Sequence, residues 1–356
     1  MGLVESIRDR FADRLEPSTF RSRFFWKTAE SLARSPLNRP QWKADRVSLS
    51  HFLAITRDAY LGKGPVVWCN LLVPSELVLG LGCIPFYPEM AAAVVASAGM
   101  GPRFIDRATE AGFSPDACSF HRCTLGLSLE GFMPEPAMLL AVNYPCDSAP
   151  LSFAFCADIF GAPQVTVDIP LPGRRDGRRL LAAQLGETAA RLASFSGRRG
   201  HEIERGLAKA IDLSNQALHH LHEVEQIRKR DDCTLDGVDA MGGISVLYGS
   251  LGSRAGADFY RLLARELRER GCAGGDSIRL MWMHIKPWYR QGIFGTLARH
   301  GARLVCEEYT HATWGTMDPR DPYDSLAAKL ESHFLVGPVE RRASHLATLA
   351  EEYRVD

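Results

Sequence analysis

Two of the nine cysteines stand where a thiol could do chemistry. Cys146 follows the apolar run 137–143 through Tyr144-Pro145 and precedes Asp147, which puts a sulfur just beyond the end of a strand-like segment. Open α/β sheets build their sites at that end. Cys118 lies in a comparable hinge, Ser114-Pro115-Asp116-Ala117-Cys118-Ser119, just ahead of 121–126. Thiolates are soft metal donors, so by spacing alone the two form a weak candidate pair for one shared metal. Cys69, Cys83, Cys156 and Cys272 stand in apolar or loop contexts and read as small buried hydrophobes, as does Cys306 inside another strand-like run.

Other chemistry-bearing groups have simpler readings. His219, His220, His222 and Glu223 share one helical stretch, and i and i+4 positions meet on a face. A metal site is geometrically possible there, but a solvated helix surface explains the cluster with less. Arg174, Arg175, Arg178, Arg179, Arg198 and Arg199 flank one helix, and their guanidinium forks suit phosphates; a solvated face is again the alternative. Gly80-Leu81-Gly82 opens a dinucleotide fingerprint, but Pro85 takes the third glycine position. Neither a GxxxxGK[ST] phosphate loop nor a GxSxG nucleophile elbow occurs.

These residues need elements to hold them. The short apolar runs 65–69, 137–143 and 164–169 alternate with helical patterns, which indicates a parallel α/β sheet covered on both faces. Helices are expected over 178–196 and 201–230; in the second, Ile203, Leu207, Ile211, Leu218, Leu221 and Val224 share a face. That helix looks like a bridge to a second α/β lobe with strands 243–248, 278–283 and 303–307 and helices 258–271, 288–300, 323–333 and 338–353. Val4, Ile7, Phe11 and Leu15 have helical spacing, and the stretch to 62, with Phe20, Phe24, Phe25, Trp26 and Trp42, reads as helices and loops packed on something larger. The expected domains are therefore a helical extension 1–62, a first lobe 63–200, a connector 201–235 and a second lobe 236–356.

The 356 residues are too many for one ordinary core. Lys+Arg and Asp+Glu both number 42, and a chain built to grip a nucleic-acid backbone carries a basic excess. The longest apolar stretch, 77–101, is broken by Pro85, Pro88 and Glu89, short of the roughly 20 apolar residues a span needs. The charged N-terminal residues leave no apolar signal segment, and an odd cysteine count without one points to a reducing compartment. The expectation is a cytoplasmic protein that engages neither membrane nor nucleic acid.

Taken with their flanks, the two cysteine contexts resemble the 2-hydroxyacyl-CoA dehydratase and benzoyl-CoA reductase subunit family, the D-component group. Val73-Pro74-Ser75-Glu76-Leu77 with Gly82 and Pro85 is similar to its "PxEL…G…P" entry segment. Asp116-Ala117-Cys118-Ser119, with Arg122 and Gly126, is similar to its first cysteine motif, and Asn143-Tyr144-Pro145-Cys146-Asp147 to its second. Val167-Asp168-Ile169-Pro170, the helix with Ala210, Ile211 and Asn215, and Gly301-Ala302-Arg303-Leu304-Val305 follow in order, so the match runs from about 60 to the end.

The resemblance implies two α/β lobes, a homologous second subunit or a homodimer, and a 4Fe–4S cluster in the cleft held by three thiolates. Cys118 and Cys146 would be two of these, with sulfurs within roughly 6–8 Å given metal–thiolate bonds of about 2.3 Å. It also implies an anaerobic enzyme: an ATP-dependent activator delivers an electron, the thioester of an acyl-CoA substrate becomes a ketyl radical anion, and the 2-hydroxyl leaves. Reductases of the family instead dearomatise a ring, and a subunit without the site would be a non-catalytic partner. In that frame Glu76 is the candidate proton-handling or orienting carboxylate, although a helix-start carboxylate favoured by the macrodipole explains it too. Asp147 would orient the Cys146 loop, His121 and Arg122 could approach the site, and the arginine-rich stretch could take CoA phosphates. The chain ends at Tyr353-Arg354-Val355-Asp356, ahead of where the resemblance puts a further strand and the third cysteine. The expectation is a C-terminally shortened subunit with two of three protein ligands; Cys306 or Cys83 as the third is the alternative.

Overall fold

The computed structural model describes residues 16–35, 40–231, 233–270, 277–289 and 291–356. The expected helix on Val4, Ile7, Phe11 and Leu15, and Cys272, lie outside them. Three helices open the description: α1 (Pro17–Phe20), α2 (Arg23–Arg34), whose first turn is capped by Ser22 accepting from the Phe25 N–H, and α3 (Lys43–Tyr60). They pack by aromatic contact, with Phe20 5.4 Å from Tyr60 and 6.2 Å from Phe132, ring centre to ring centre. An apolar cavity of about 380 Å³ lies between them and the sheet, walled by Trp26, Phe52, Tyr60, Phe86, Met90 and Val94 among others.

The first sheet contains β1 (Val66–Cys69), β2 (Ile84–Phe86), β3 (Met138–Val142) and β4 (Gln164–Val167), all parallel, in the order β2-β1-β3-β4. The three-residue β2 was not foreseen: interrupted by Pro85, it is too short to show a period. Helix α4 (Ser75–Gly80) links β1 to β2; α5 (Pro88–Ser97), α6 (Gly101–Glu110) and α7 (Ser119–Leu129) link β2 to β3; α8 (Ser148–Phe160) links β3 to β4. Alternate strand residues enter different cores. Val67, Cys69, Leu140 and Val142 join one, and Val66, Trp68, Leu139 and Ala141 the other. Burial on both faces is why these strands read as unbroken apolar runs.

After α9 (Gly177–Ser196) comes α10 (His201–Arg228), 28 residues and so about 42 Å long. Its apolar face, with Leu207, Ile211, Leu218, Leu221 and Val224, enters the larger core. Where it crosses α4 the backbones touch: a Cβ on Gly206 would meet the Gly80 carbonyl oxygen at 2.1 Å, so only glycine fits. At its far end Arg228 is buried against Glu307, 2.7 Å away.

The second lobe departs from expectation at 243–248, which is helical: α11 (Gly237–Ala240), a 3₁₀ turn and α12 (Ile244–Gly249) take the place of a strand. A short buried apolar run does not by itself distinguish the two states. With no strand beside it, the helix bonds its own backbone. Helix α13 (Arg254–Arg270) packs along α10, and β5 (Ile278–Trp282) pairs in parallel with β6 (Ala302–Glu307) across α14 (Ile293–Arg299). Helices α15 (Pro322–Ser332) and α16 (Val339–Glu352) follow. Asp356 lies against β5, donating its N–H to the Arg279 carbonyl. The protein is thus mixed α/β, with a four-stranded and a two-stranded parallel sheet flanked by helices. Among the described residues no helix is long and apolar enough to cross a membrane.

Candidate functional site

In the first sheet the chain leaves β1 toward β2 on one side and returns to β3 on the other, so the switch point lies between β1 and β3. Ligands of open α/β sheets bind outside the carboxyl ends of the strands at that point. Buried Asn70, just past β1, locks the two strand ends: its Oδ1 accepts from the Val142 N–H at 3.0 Å and its Nδ2 donates to the Val142 carbonyl at 3.2 Å. Asn143 does the same toward β4, donating to Asp168 and accepting from the Ile169 N–H at 2.8 Å. These amides hold the loop Tyr144–Asp147 over the switch point.

Cys146 sits half-buried on that loop, next to the start of α8. Burial pushes its thiol up, an effect opposed by the Ser148 and Ala149 N–H groups and added to by the Cys118 thiol and the Glu89 carboxylate. Cys118 is the residue preceding α7 and is exposed. Its thiol is near enough for its charge to act on Cys146. Against Cys146 lies His121, buried, with Nε2 3.5 Å from the sulfur and Nδ1 3.0 Å from Ser152 Oγ. Burial holds its imidazole down at about 4. Glu89, in the first turn of α5, is pushed up to about 7 by burial, an effect opposed by its own backbone N–H and that of Leu71, and its Oε2 has no partner among the described residues. Sequence reasoning missed Glu89; its only signal was a carboxylate just past a strand too short to detect.

The second lobe faces the Cys146 loop. Tyr309, in the 3₁₀ turn after β6, is close enough to Cys146 for that thiol to raise it further, on top of burial and Glu308. Glu308 is fully buried and held by Arg342 through two bonds of 2.6 and 2.8 Å. It also accepts the His284 N–H at 2.7 Å, fixing His284 in a left-handed conformation with φ of 66°. Such strain in a non-glycine residue concentrates at functional positions. The His284 ring lies 5.4 Å from that of Tyr309.

The remaining sequence candidates fall elsewhere. Glu76 is fully buried at the start of α4, its Oε1 accepting from Ser214 at 2.7 Å and from Lys329 at 2.6 Å, so its bonded partners are α10 and α15. Arg122 is taken up by the Pro115 carbonyl and Thr109 rather than the thiols. Asp147 is exposed, and its side chain makes no cap bond to α8 among the described residues. Cys306 is in a separate small core beside Leu349 and Tyr353, and Cys83 is buried against the Leu192 carbonyl. Arg178 pairs with Glu331 and Arg198 bonds the Gly80 carbonyl, whereas Arg174, Arg175 and Arg179 stay exposed. His219, His220 and Glu223 do converge, with ligand atoms within 4.8 Å of one another, but Arg268 also binds Glu223 and the cluster lies on an open helix face.

Compared with known families, residues 70–356 match the model described as 2-hydroxyglutaryl-CoA dehydratase, D-component. Among curated proteins, the chain is similar to the (R)-phenyllactyl-CoA dehydratase alpha subunit of Clostridium sporogenes, 24% identical over 263 residues, covering 69% of this chain and 64% of that protein. It is also similar to lactoyl-CoA dehydratase subunit alpha of Anaerotignum propionicum, 20% identical over 257 residues, covering 64% of this chain and 60% of that protein. The chain thus spans about three fifths of the length of these relatives.

Proposed function

Because the chain belongs to the 2-hydroxyglutaryl-CoA dehydratase D-component family, we propose that it is the cluster-bearing subunit of a radical 2-hydroxyacyl-CoA dehydratase, with Cys118 and Cys146 as two protein ligands of a 4Fe–4S cluster. What supports this is that neither thiol is locked into a core, that Cys146 lies just past β3 at the start of α8, and that the Cys118 thiol is near enough for its charge to act on Cys146. Soft donors outside the apolar cores fit an iron–sulfur group. When bound, the cluster supplies the single electron that makes the thioester carbonyl reactive enough to expel the 2-hydroxyl.

The chain's own residues do the rest. Tyr309 and His284 close the cleft from the second lobe, and the exposed arginines 174, 175 and 179, in the segment after β4, offer a seat for CoA phosphates. Glu89, neutral about half the time near pH 7 and with one unbonded oxygen, can hold or release a proton beside Cys146. Glu76 is retained as an orienting carboxylate that acts through Ser214 and Lys329. We further propose the division 1–62, 63–200, 201–235 and 236–356, a cytoplasmic location, and partnership with a homologous second subunit and an ATP-dependent activator; the relatives' designation as alpha subunits supports the second subunit.

The test is anaerobic purification, loading with iron and sulfide, and assay with activator and partner on a 2-hydroxyacyl-CoA and on benzoyl-CoA. Dehydration of the first supports the proposal. Turnover of benzoyl-CoA alone makes the chain a reductase subunit, and failure to hold iron under these conditions makes it a non-catalytic partner.

A further inference from the structure

We propose that His121 is the positioning residue for Cys146: its imidazole, clamped by Ser152, orients the sulfur and hydrogen-bonds it once it is a metal-bound thiolate. The second half of this rests on Cys146 being a cluster ligand. Three elements meet to build the clamp. His121 lies in the first turn of α7, Ser152 in α8, and Cys146 on the loop from β3, with the imidazole nitrogens 3.5 Å from sulfur and 3.0 Å from hydroxyl. Both His121 and Ser152 are buried, so neither contact is a chance meeting of mobile surface groups.

Hydrogen accounting ties the tautomer to the direction of the Ser152 hydroxyl. Ser152 Oγ also lies 3.0 Å from the Ala149 carbonyl oxygen, which can only accept. A hydroxyl has one proton. Given to Ala149, it leaves Ser152 to accept from Nδ1–H, so the neutral ring turns the Nε2 lone pair toward the Cys146 S–H. A thiolate in the same place would be repelled by that lone pair. Turning the Ser152 hydroxyl from Ala149 to Nδ1 resolves this: Nε2 then carries the proton and donates it to sulfur. Of the S–H, Nδ1–H and O–H protons present before metal binding, one leaves for water and the others remain as Nε2–H and O–H. The ring is neutral in both states.

An N–H aimed at a ligand sulfur stabilises the electron-rich, reduced form of an iron–sulfur centre and so raises its potential. Orienting partners of this kind also sustain metal affinity. Sequence spacing gives no hint of the clamp, because its members are 25 and 31 positions apart and meet only through packing.

The experiment compares wild type with His121→Gln, His121→Phe and Ser152→Ala. In metal-free protein labelled with ¹⁵N-histidine, His121 should show Nδ1 protonated and Nε2 accepting. Cys146→Ala should move the Nε2 resonance, and Cys118→Ala should leave it in place. After anaerobic loading with ferrous iron and sulfide, His121→Phe should bind iron roughly 10–100-fold more weakly and show a more negative midpoint potential. His121→Gln, whose amide still donates, should recover part of both, and Ser152→Ala should shift the potential the same way by less. If His121→Phe fails to fold, the Gln and Ala variants decide. An Nε2 resonance indifferent to Cys146→Ala, or wild-type potential and EPR g values in all three variants, overturns the proposal. Wild type that takes up no iron overturns the cluster reading instead, while the nitrogen resonances still decide whether the clamp exists.

Discussion

At the scale of single residues, Cys118, Cys146 and His121 drew notice from their context in the sequence, whereas Ser152 and Glu89 acquire meaning only from what packs beside them. Replacing Cys118 or Cys146 with Ala should abolish the brown, oxygen-sensitive chromophore of the loaded protein and leave the far-ultraviolet circular dichroism of the metal-free protein unchanged. Glu76, whose type and position suggested chemistry, is also paired with Lys329 and so joins α4 to α15. Glu76→Ala should cost about 3–5 kcal/mol, because it strands a buried ammonium. Chemical denaturation would check this, with the Glu76→Met, Lys329→Met double variant much closer to wild type. His333 is buried, accepting from the Leu335 N–H and facing Tyr248 Oη at 3.2 Å, with burial holding its imidazole down at about 3. Its unfolded value is near 6.5, so the unfolded chain takes the proton first. Stability should therefore be intact above about 6.5 and fall steadily as pH drops toward 3, by about 1.4 kcal/mol per unit from this group. Urea midpoints from pH 7 to 4.5 would follow the decline, and His333→Gln should flatten it.

At the scale of elements, strands buried on both faces and helices with a single apolar face were readable, whereas 243–248 was not, its apolar residues fitting either state. Distant caps are equally invisible. The carboxylate of Glu266, on α13, accepts from the N–H groups of Lys43 and Ala44 at 2.9 and 3.0 Å, satisfying the first turn of α3 from 222 residues away. Glu266→Ala should lower stability by about 2 kcal/mol, through two donors left without an acceptor. Hydrogen exchange would localise the loss to the start of α3.

For the whole molecule, alternating strand and helix patterns revealed the two parallel sheets but not the smallness of the second, which has two strands among the described residues. Exposed Phe24, Leu32 and Val94 near the helical N-terminal region leave apolar surface on one side of the first lobe. Co-expression with a homologous subunit should therefore give a stable complex by light scattering at micromolar concentration, and a monodisperse monomer under those conditions would argue against pairing.

Helix α10 touches both lobes through contacts of unequal kind: backbone against backbone at Gly206, a hydroxyl on Glu76 at Ser214, and a buried ion pair at Arg228. In mechanical terms it is a strut pinned at three points, and a strut pinned this way does not let its ends swing. The gap between Cys146 and Tyr309 is then set by a fixed frame rather than by a hinge. Anything bulky that enters this gap would do so by the yielding of the loops carrying His284 and Tyr144, with the two lobes keeping their spacing.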